Sequence, residues 1–294
     1  MWEADKHPYL VPFDGGFDTR DLQTAPPADA PDKKKLKSKL NKCIDDLDEL
    51  QRMLYAHNRY SVLLVFQAMD AAGKDSTIRA VLSGLNPAGF QVSSFKQPSS
   101  EELDHDFLWR TSRRLPERGR IGVFNRSYYE EVLVVRVHPE YLKYQRLPYD
   151  IDTASIWPQR YESIRSHERH LAENGTIVLK FWLNVSREEQ RNRFLSRLME
   201  QEKHWKFSAG DLEERKLWDK YQQAYAEAVA ATSRPWAPWY AIPADDKPYM
   251  RWCVADVLER TLKSLPIHYP RVSSEDKNEF KLLRQQLEDE AVQD

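Results

Sequence analysis

A short run of small and charged residues in the first third of the chain has the composition of a phosphate-binding loop. Gly73 and Lys74 stand between an apolar run, residues 62–66, and a helix-forming segment. The first amides of a helix have no partner within the helix, so they point at an anion, and a lysine adds a mobile positive charge. The order of strand, loop, Gly-Lys and helix therefore predicts a site for phosphate oxygens. The residues that we expect at this site are Ala71, Ala72, Gly73, Lys74, Asp75 and Ser76.

The loop departs from the common pattern G-x-x-x-x-G-K-[ST] at two positions. Ala68 replaces the first glycine, and Asp75 replaces the hydroxyl residue that binds magnesium in that pattern. Asp70 lies inside the loop, where a carboxylate repels phosphate unless it binds a metal ion or meets the acceptor group. We therefore expect Asp70 to organise a metal ion or to orient the acceptor oxygen. An ordinary glycine-containing turn between a strand and a helix is the alternative interpretation.

A second polar pair follows the third predicted strand, residues 121–124. Asn125 occupies the position at which P-loop enzymes usually carry a metal-linked aspartate, and an amide is a weaker metal ligand than a carboxylate. Arg126 can bind two phosphate oxygens at once through its planar guanidinium group. The alternative is a surface arginine that pairs with Glu130 or Glu131.

An arginine-rich helix is predicted to begin at Ser186, because Ser186 and Glu189 have the spacing of a capping box. Arg193 and Arg197 lie one turn apart on one face of this helix. Such a helix is similar to the mobile lid of small nucleotide kinases, and we place the lid at about residues 186–210. A surface helix held by salt bridges is the competing interpretation, because glutamates flank the arginines.

A basic cluster lies between the second and third predicted strands. A single nucleotide needs few positive charges, whereas a polymer of phosphates could contact a whole row of them. A solvated surface is the alternative for each of these arginines considered alone. The members that we assign to a polyphosphate track are Arg113, Arg114 and Arg118.

The bulk properties exclude several classes of protein. The chain has 294 residues, 41% of them hydrophobic, and a formal net charge of −2, which argues against a global polycation that coats nucleic acid or membrane. We recognise no signal peptide and no apolar run of membrane-spanning length. Cys43 and Cys253 are predicted to be buried thiols, which is typical of a reducing cytoplasm. We therefore expect a cytoplasmic protein that binds neither nucleic acid nor membrane.

Apolar runs alternate with helical patterns along the chain. Five strands are predicted, near residues 62–66, 90–95, 121–124, 176–185 and 239–242. Consecutive strand–helix–strand units predict an α/β protein with a mostly parallel sheet between two layers of helices. The loops after the first and third strands then meet at the carboxyl edge of the sheet, where such folds bind ligands.

Several helices follow from the periodicity of the apolar residues. The run at residues 132–138 is ambiguous between strand and helix. Five other segments are each predicted to form one continuous helix, at residues 99–114, 158–173, 211–230, 248–265 and 276–291. For the domains, we predict an extended arm at residues 1–31, one large domain at residues 32–270 and a helical tail at residues 271–294.

Several separated motifs, in the right order, resemble the family-2 polyphosphate kinases. They are Asp70-Ala71-Ala72-Gly73-Lys74-Asp75, Lys96-Gln97-Pro98, Asn125-Arg126-Ser127-Tyr128-Tyr129-Glu130, Trp205-Lys206-Phe207-Ser208 and Ala237-Pro238-Trp239-Tyr240. The resemblance covers about residues 32–265. It implies a thymidylate-kinase-like P-loop fold with a helical lid. It also implies transfer of the terminal phosphate of inorganic polyphosphate to a nucleotide, with Mg²⁺ as cofactor and Mn²⁺ as an alternative.

The resemblance also implies roles for single residues. Asp70 and Lys74 match the family's loop aspartate and lysine, and Asp70 is the implied metal ligand. Arg126 matches the arginine after the third strand, and Arg193 or Arg197 would supply the arginine of the lid.

The form Asn125-Arg126-Ser127 looks like the subgroup that phosphorylates both AMP and ADP. Lys96 and Asn125 are accordingly expected to contact phosphate or nucleotide. The implied partners are inorganic polyphosphate, adenine nucleotides, with guanine nucleotides as an alternative, and further copies of the chain in a dimer or tetramer. Two other functions stay open, namely an ATP-dependent nucleoside monophosphate kinase and a nucleotide-binding module without catalysis.

Overall fold

A five-stranded parallel sheet forms the centre of the molecule, in a computed structural model that describes residues 1–20, 22–148, 152 and 154–290. The order of the strands is β2-β3-β1-β4-β5. The strands are β1 (Ser61–Gln67), β2 (Phe90–Ser94), β3 (Ile121–Asn125), β4 (Thr176–Asn184) and β5 (Trp239–Pro243). The predicted α/β fold with a parallel sheet of five strands is confirmed.

The described residues contain eleven α-helices. They are α1 (Lys33–His57), α2 (Lys74–Val81), α3 (Ser100–Leu103), α4 (Trp109–Ser112), α5 (Val134–Val137), α6 (Ile156–Glu173), α7 (Arg187–Met199), α8 (Ala209–Lys216), α9 (Trp218–Thr232), α10 (Lys247–Ser264) and α11 (Ser274–Glu290). Short 3₁₀ helices lie at Pro87–Gly89, Tyr128–Glu131, Pro139–Gln145 and Gln201–Lys206. Helices α1, α2 and α10 pack together, and α6 packs with α9 and β4, so helical layers cover the sheet.

The register of the sheet places the two chemically important loops side by side. All seven residues of β1 are buried, as expected for a central strand of a parallel sheet. In the ladder between β1 and β3, Phe66 pairs with Asn125, so both strands end at the same level. After β1 the chain runs to β2 at one edge of the sheet, and after β3 it crosses to β4 on the other side of β1. The strand order therefore changes direction between β1 and β3, and the carboxyl ends of these two strands lie at that point.

Two predicted helices are broken in the structure. The capping box of Ser99 and Glu102 is present, but α3 ends after one turn, and the Asp106 side chain accepts the Leu108 amide in a local turn before α4 begins. The helix predicted at residues 211–230 is interrupted at Leu217. The interruption lets α8, which has no buried residue, lie apart from the core in which α9 is packed. The ambiguous segment at residues 132–138 contains the short helix α5.

Both ends of the chain have identifiable structure. The N-terminal arm pairs with the edge strand β5, because the Val11 amide donates to the Trp239 carbonyl and the Ala241 amide donates to the Tyr9 carbonyl. These bonds satisfy part of an otherwise open sheet edge. Helix α11 has no buried residue, and the last four residues of the predicted tail, 291–294, lie outside the described residues.

Cys43 and Cys253 are free and buried, as predicted. Across the described ranges, no helix combines the length and apolar character that a membrane crossing requires.

Candidate active site

The loop between β1 and α2 has the geometry of an anion-binding loop. Gly73 is the N-cap of α2 with φ of 109°, a left-handed conformation that glycine adopts at little cost. A Cβ atom at this position would lie 3.2 Å from Cε of Met250. Gly73 has no side chain to cap the first amides of α2, so these amides remain available to an anion.

The side chain of Lys74 forms a hydrogen bond across this loop. Its Nζ atom donates a hydrogen bond of 2.8 Å to the carbonyl of Ala68, on the opposite side of the loop. Burial lowers the pKa of Lys74, while the neighbouring carboxylates of Asp70 and Glu130 oppose that shift. An arriving phosphate would supply the negative charge that stabilises the ammonium group in this position.

Arg126 reaches the loop from the end of β3. Its backbone has φ of 65°, and its amide donates to the Phe66 carbonyl in β1. The side chain turns toward two carboxylates, with Nη2 at 3.4 Å from Oδ1 of Asp70 and Nη1 at 3.8 Å from Oε2 of Glu130. Arg126 therefore faces the loop and also has the Glu130 partner that the alternative interpretation named.

Glu130 belongs to one of the motifs quoted above, but the sequence assigned it no role except as a partner for Arg126. Burial raises the pKa of its carboxyl group, and the positive charges of Arg126 and Lys74 limit the rise. The site thus places two cations and two acids within one small volume. Preorganised charges of this kind are typical of phosphoryl-transfer sites.

Asn125 and Asp75 are joined by a hydrogen bond from Nδ2 to Oδ1. The amide at the end of β3 thus fixes the aspartate that replaces the usual hydroxyl residue of the loop. Asp70, with its side chain one-third exposed, presents a second carboxylate. The described part of the chain holds no group of three or more His, Cys, Asp or Glu side chains arranged for a metal. Carboxylates of this number fit Mg²⁺, which proteins bind through one or two carboxylates together with waters and substrate phosphates.

Arg193 corrects an expectation of the sequence analysis. Its side chain is buried, and Nη1 donates to the carbonyls of Ala71 and Ala72 at 3.1 and 2.6 Å. Nη2 donates to the carbonyls of Ala244 and Asp245 at 2.6 and 3.1 Å.

The last donor of this arginine, Nε, is 2.7 Å from a carboxylate oxygen of Glu189. A guanidinium group has five N–H donors, and these five bonds use all of them. Arg193 therefore holds the phosphate loop in place and has no donor left for a migrating phosphate. The catalytic role predicted for Arg193 is replaced by a positioning role.

Arg197 lies one turn further along α7 and lines the open cleft. Its Nη1 is 3.4 Å from Oδ2 of Asp211 in α8, and its guanidinium group lies 5.5 Å from the ring centroid of Phe194. Of the two lid arginines named from the sequence, Arg197 has the more exposed side chain, at 22% against 8% for Arg193.

These residues surround one cleft with a volume of about 550 Å³. All twelve residues that the sequence analysis assigned to catalysis or to phosphate and nucleotide binding line it. They are Asp70, Ala71, Ala72, Gly73, Lys74, Asp75, Ser76, Lys96, Asn125, Arg126, Arg193 and Arg197. Two further cations of the lining, Lys203 and Lys247, were not found from the sequence. No local signal marks Lys247, which enters the site only because α10 begins beside the loop.

The predicted polyphosphate track does not lie along this cleft. Arg118 donates to the carbonyls of Arg59 and Asn174 at 2.8 and 3.0 Å, next to the first residues of β1 and β4 and thus at the opposite edge of the sheet. Arg113 and Arg114 are exposed beyond α4, and neither is among the cleft residues in the described structure. The prediction that these arginines form a polyphosphate track along the cleft is therefore wrong, because the short α4 and the turn after it place them away from the site.

A second cavity of about 430 Å³ opens from the cleft. The two share Lys96, Gln97 and Arg126. The remaining lining is largely apolar or aromatic and consists of Pro98, Leu103, Arg110, Glu130, Glu131, Val134, Val135, Tyr141, Tyr144 and Gln145. A cavity with apolar walls and a few polar groups is typical of a site for a small organic molecule.

Polar groups at this second cavity are held by a buried ion pair. Nη1 of Arg160 donates to the carbonyl and to the carboxylate of Glu131, at 2.9 and 3.1 Å. Nε2 of Gln145 donates to the same carboxylate at 2.7 Å. Sequence reasoning missed this cavity because its walls come from several separate segments between residues 96 and 145, and the motifs among them do not show that these segments enclose a common space.

Comparison with protein families identifies a match over most of the chain. The family described as polyphosphate kinase 2 (PPK2) matches residues 30–268, which is most of the chain.

Relatives and solved structures agree with this match. The chain is 57% identical over 245 residues to an ADP-polyphosphate phosphotransferase of Rhodopseudomonas palustris, covering 83% of this chain and 85% of the relative. It is 48% identical over 225 residues to an AMP/ADP-polyphosphate phosphotransferase of Meiothermus ruber, covering 76% and 80%. The crystal structure of polyphosphate kinase 2 from Arthrobacter aurescens TC1 superposes with a TM-score of 0.87 at 36% identity, over 97% of this chain and all of that chain.

Proposed function

The chain belongs to the polyphosphate kinase 2 family, and on that premise we propose that it transfers the terminal phosphate of inorganic polyphosphate to AMP or ADP. The protein is a phosphotransferase, and the products would be ADP and ATP. The observation that carries the proposal is the meeting of Lys74, Arg126 and Asp70 in one cleft beside an apolar cavity. The cleft suits chains of phosphate, and the cavity suits a nucleoside.

The loop would hold the phosphates that react. Amides at the start of α2 and the ammonium group of Lys74 bind phosphate oxygens, and Arg193 keeps the loop backbone in the geometry that this binding requires. Arg126 and Arg197 neutralise charge as the phosphoryl group moves in line from donor to acceptor. Lys203 and Lys247 extend the positive lining and support the remaining phosphates of the donor chain.

Asp70, assisted by Asp75, would hold Mg²⁺, with Mn²⁺ as the alternative ion. When bound, such an ion neutralises charge on the phosphate oxygens and orients them. The side chains of the protein supply the rest, since Arg126 faces the same loop and Asn125 keeps Asp75 oriented.

The acceptor nucleoside would occupy the cavity next to the cleft. Tyr141 and Tyr144 are about half exposed at its wall and offer flat surfaces for a base, while Arg126 lies where the two cavities meet. Both acceptors are proposed because one relative is named for ADP and the other for AMP and ADP. We further propose a cytoplasmic enzyme that assembles as a dimer or tetramer and also runs in the reverse direction.

A donor assay tests the proposal. Purified protein is incubated with Mg²⁺ and AMP or ADP, with either long-chain polyphosphate or ATP as donor, and the nucleotides are separated by chromatography. The proposal predicts transfer from polyphosphate. Transfer from ATP alone would support a nucleoside monophosphate kinase, and binding of nucleotide without any transfer would support a non-catalytic module.

A further inference from the structure

A buried polar cluster lies directly behind the turn that carries Arg126. Tyr128 and Tyr129 follow Arg126 in the chain, and both rings are fully buried. They meet Glu168 of α6 and Lys180 of β4, which are also buried. None of these four side chains lines the cleft or the neighbouring cavity.

The cluster is tightly connected. The hydroxyl groups of Tyr128 and Tyr129 both donate to Oε1 of Glu168, each at 2.9 Å. Nζ of Lys180 donates to Oε2 of Glu168 at 2.6 Å, to the Tyr129 hydroxyl at 3.0 Å and to the Thr232 carbonyl at 2.9 Å. All three donors of the ammonium group are therefore used. The bonds join the turn after β3 to α6, to β4 and to the end of α9.

A gain in stability alone does not explain such a cluster. Removing an ammonium group and a carboxylate from water is costly, and well-packed apolar side chains of similar volume often stabilise a protein equally well. What the cluster adds is a defined position for two tyrosines in a row. Burial raises the pKa of both tyrosine hydroxyls, so they remain protonated and able to donate.

Arg126 needs such support because its backbone is strained. A φ of 65° is uncommon for a residue with a side chain and persists only where the surroundings enforce it. On the side toward β1, Ser127 Oγ accepts hydrogen bonds of 3.1 Å from Nε2 of Gln67 and from the Tyr129 amide. On the opposite side, the two tyrosine rings anchor the turn to Glu168.

We infer that Tyr128, Tyr129, Glu168 and Lys180 form a positioning network that fixes Arg126 at the cleft, an inference that rests on the function proposed for Arg126. None of the four touches a substrate. They act through the backbone of the Arg126 turn, whose geometry decides where the guanidinium group lies relative to Asp70.

The test removes both hydroxyl groups and keeps both rings, in the variant Tyr128→Phe/Tyr129→Phe. A matched control is Ser61→Ala, because Ser61 Oγ lies 3.0 Å from Thr176 Oγ1 in the same sheet but at its opposite edge. We expect kcat of the double variant to fall about tenfold, because small displacements of a charge-stabilising group reduce turnover strongly. The control should retain the kcat of the wild type. An unchanged kcat in a folded double variant would overturn the inference, and Tyr128→Phe alone provides the same comparison if the double variant does not fold.

A second measurement separates positioning from general loss of structure. The same two substitutions are made in an Arg126→Ala background, where a positioning network has nothing left to position. We expect the tenfold factor to shrink to about twofold or less in that background. An undiminished factor would contradict the inference. All variants are assayed with the donor that the wild type uses, so the result does not depend on polyphosphate being that donor. The dissociation constant for AMP is measured for the same set of variants.

Discussion

Nη2 of Arg126 lies 3.4 Å from Oδ1 of Asp70, across the carboxyl ends of β3 and β1. This pair joins the two loops that the sequence marks as chemically active, and it exists because the strands that carry them are neighbours with matched ends. Each partner of the pair has a separate task in the proposed reaction. Arg126 would bind phosphate and Asp70 would bind a metal ion. Their contact with each other therefore belongs to the site before substrates bind.

Substitution of Asp70 tests the carboxylate of this pair. We expect Asp70→Asn to reduce kcat at least about 100-fold, since an amide of the same shape holds a divalent cation poorly. The unfolding temperature should change little, because the Asp70 side chain is partly exposed. A matched control is Asp48→Asn, which removes a carboxylate from an exposed pair with Arg52 on α1 and should leave turnover intact. Near-normal activity in folded Asp70→Asn would refute the role assigned to Asp70.

The pH dependence of the reaction tests Lys74. Only the protonated amine attracts phosphate, and burial lowers the pKa of Lys74 below that of an exposed lysine. Activity that depends on Lys74 is therefore present at lower pH and is lost as the pH rises through this lowered pKa. We expect kcat/KM, measured from about pH 7 to about pH 10, to show an alkaline decline in the wild type.

The comparison for this prediction is Lys74→Arg, because a guanidinium group keeps its charge throughout that range. This variant should be less active at neutral pH but should lack the alkaline decline. The same decline in Lys74→Arg would assign the titration to another group.

A pair of lysine substitutions on α7 distinguishes the two lid arginines. Arg193→Lys leaves three donors at one nitrogen in place of five in a planar group, so it cannot keep the hydrogen bonds to all four backbone carbonyls. We expect the free energy of unfolding to fall by about 2–3 kcal/mol and kcat to fall with it. Arg197→Lys should lower kcat about tenfold with little change in stability. Thermal melts and steady-state rates of the two variants provide the comparison. A stable but inactive Arg193→Lys would return the catalytic role to Arg193.

The aromatic wall of the second cavity is tested by Tyr144. If a nucleoside base rests there, Tyr144→Ala should raise KM for AMP about tenfold, the effect of losing one stacking partner. The KM for polyphosphate should not change, and Tyr144→Phe should behave as the wild type because it keeps the ring. Equal increases in both KM values would place the base elsewhere.

Local sequence was sufficient for the loop and the sheet. The apolar run before Gly73 and the Gly-Lys pair fix a strand, a turn and a helix through neighbours in the chain, so the position of Lys74 followed directly. The burial of β1 was equally readable from its continuous apolar character.

The roles of residues whose partners are distant in the chain could not be predicted from the sequence. Arg193 and Arg197 share one face of α7, yet only Arg193 meets the carbonyls at residues 244–245, which follow β5. Arg118 belongs to a basic cluster in the sequence, but the turn before β3 directs it to the other edge of the sheet. Periodicity likewise gave no sign of the break at Leu217, which separates a helix beside the lid from a core helix.

The most direct test of the central claim compares two donors on two acceptors. Purified wild-type protein receives Mg²⁺, either AMP or ADP as acceptor, and either long-chain polyphosphate or ATP as the sole donor. Asp70→Asn protein is the matched control, and the nucleotides formed are measured over time. The account predicts that ADP and then ATP accumulate with polyphosphate as the sole donor, and that the control forms neither at a comparable rate. Formation of ATP from ADP but not from AMP would keep the family's reaction and restrict the acceptor. Phosphate transfer from ATP, with none from polyphosphate, would contradict the account.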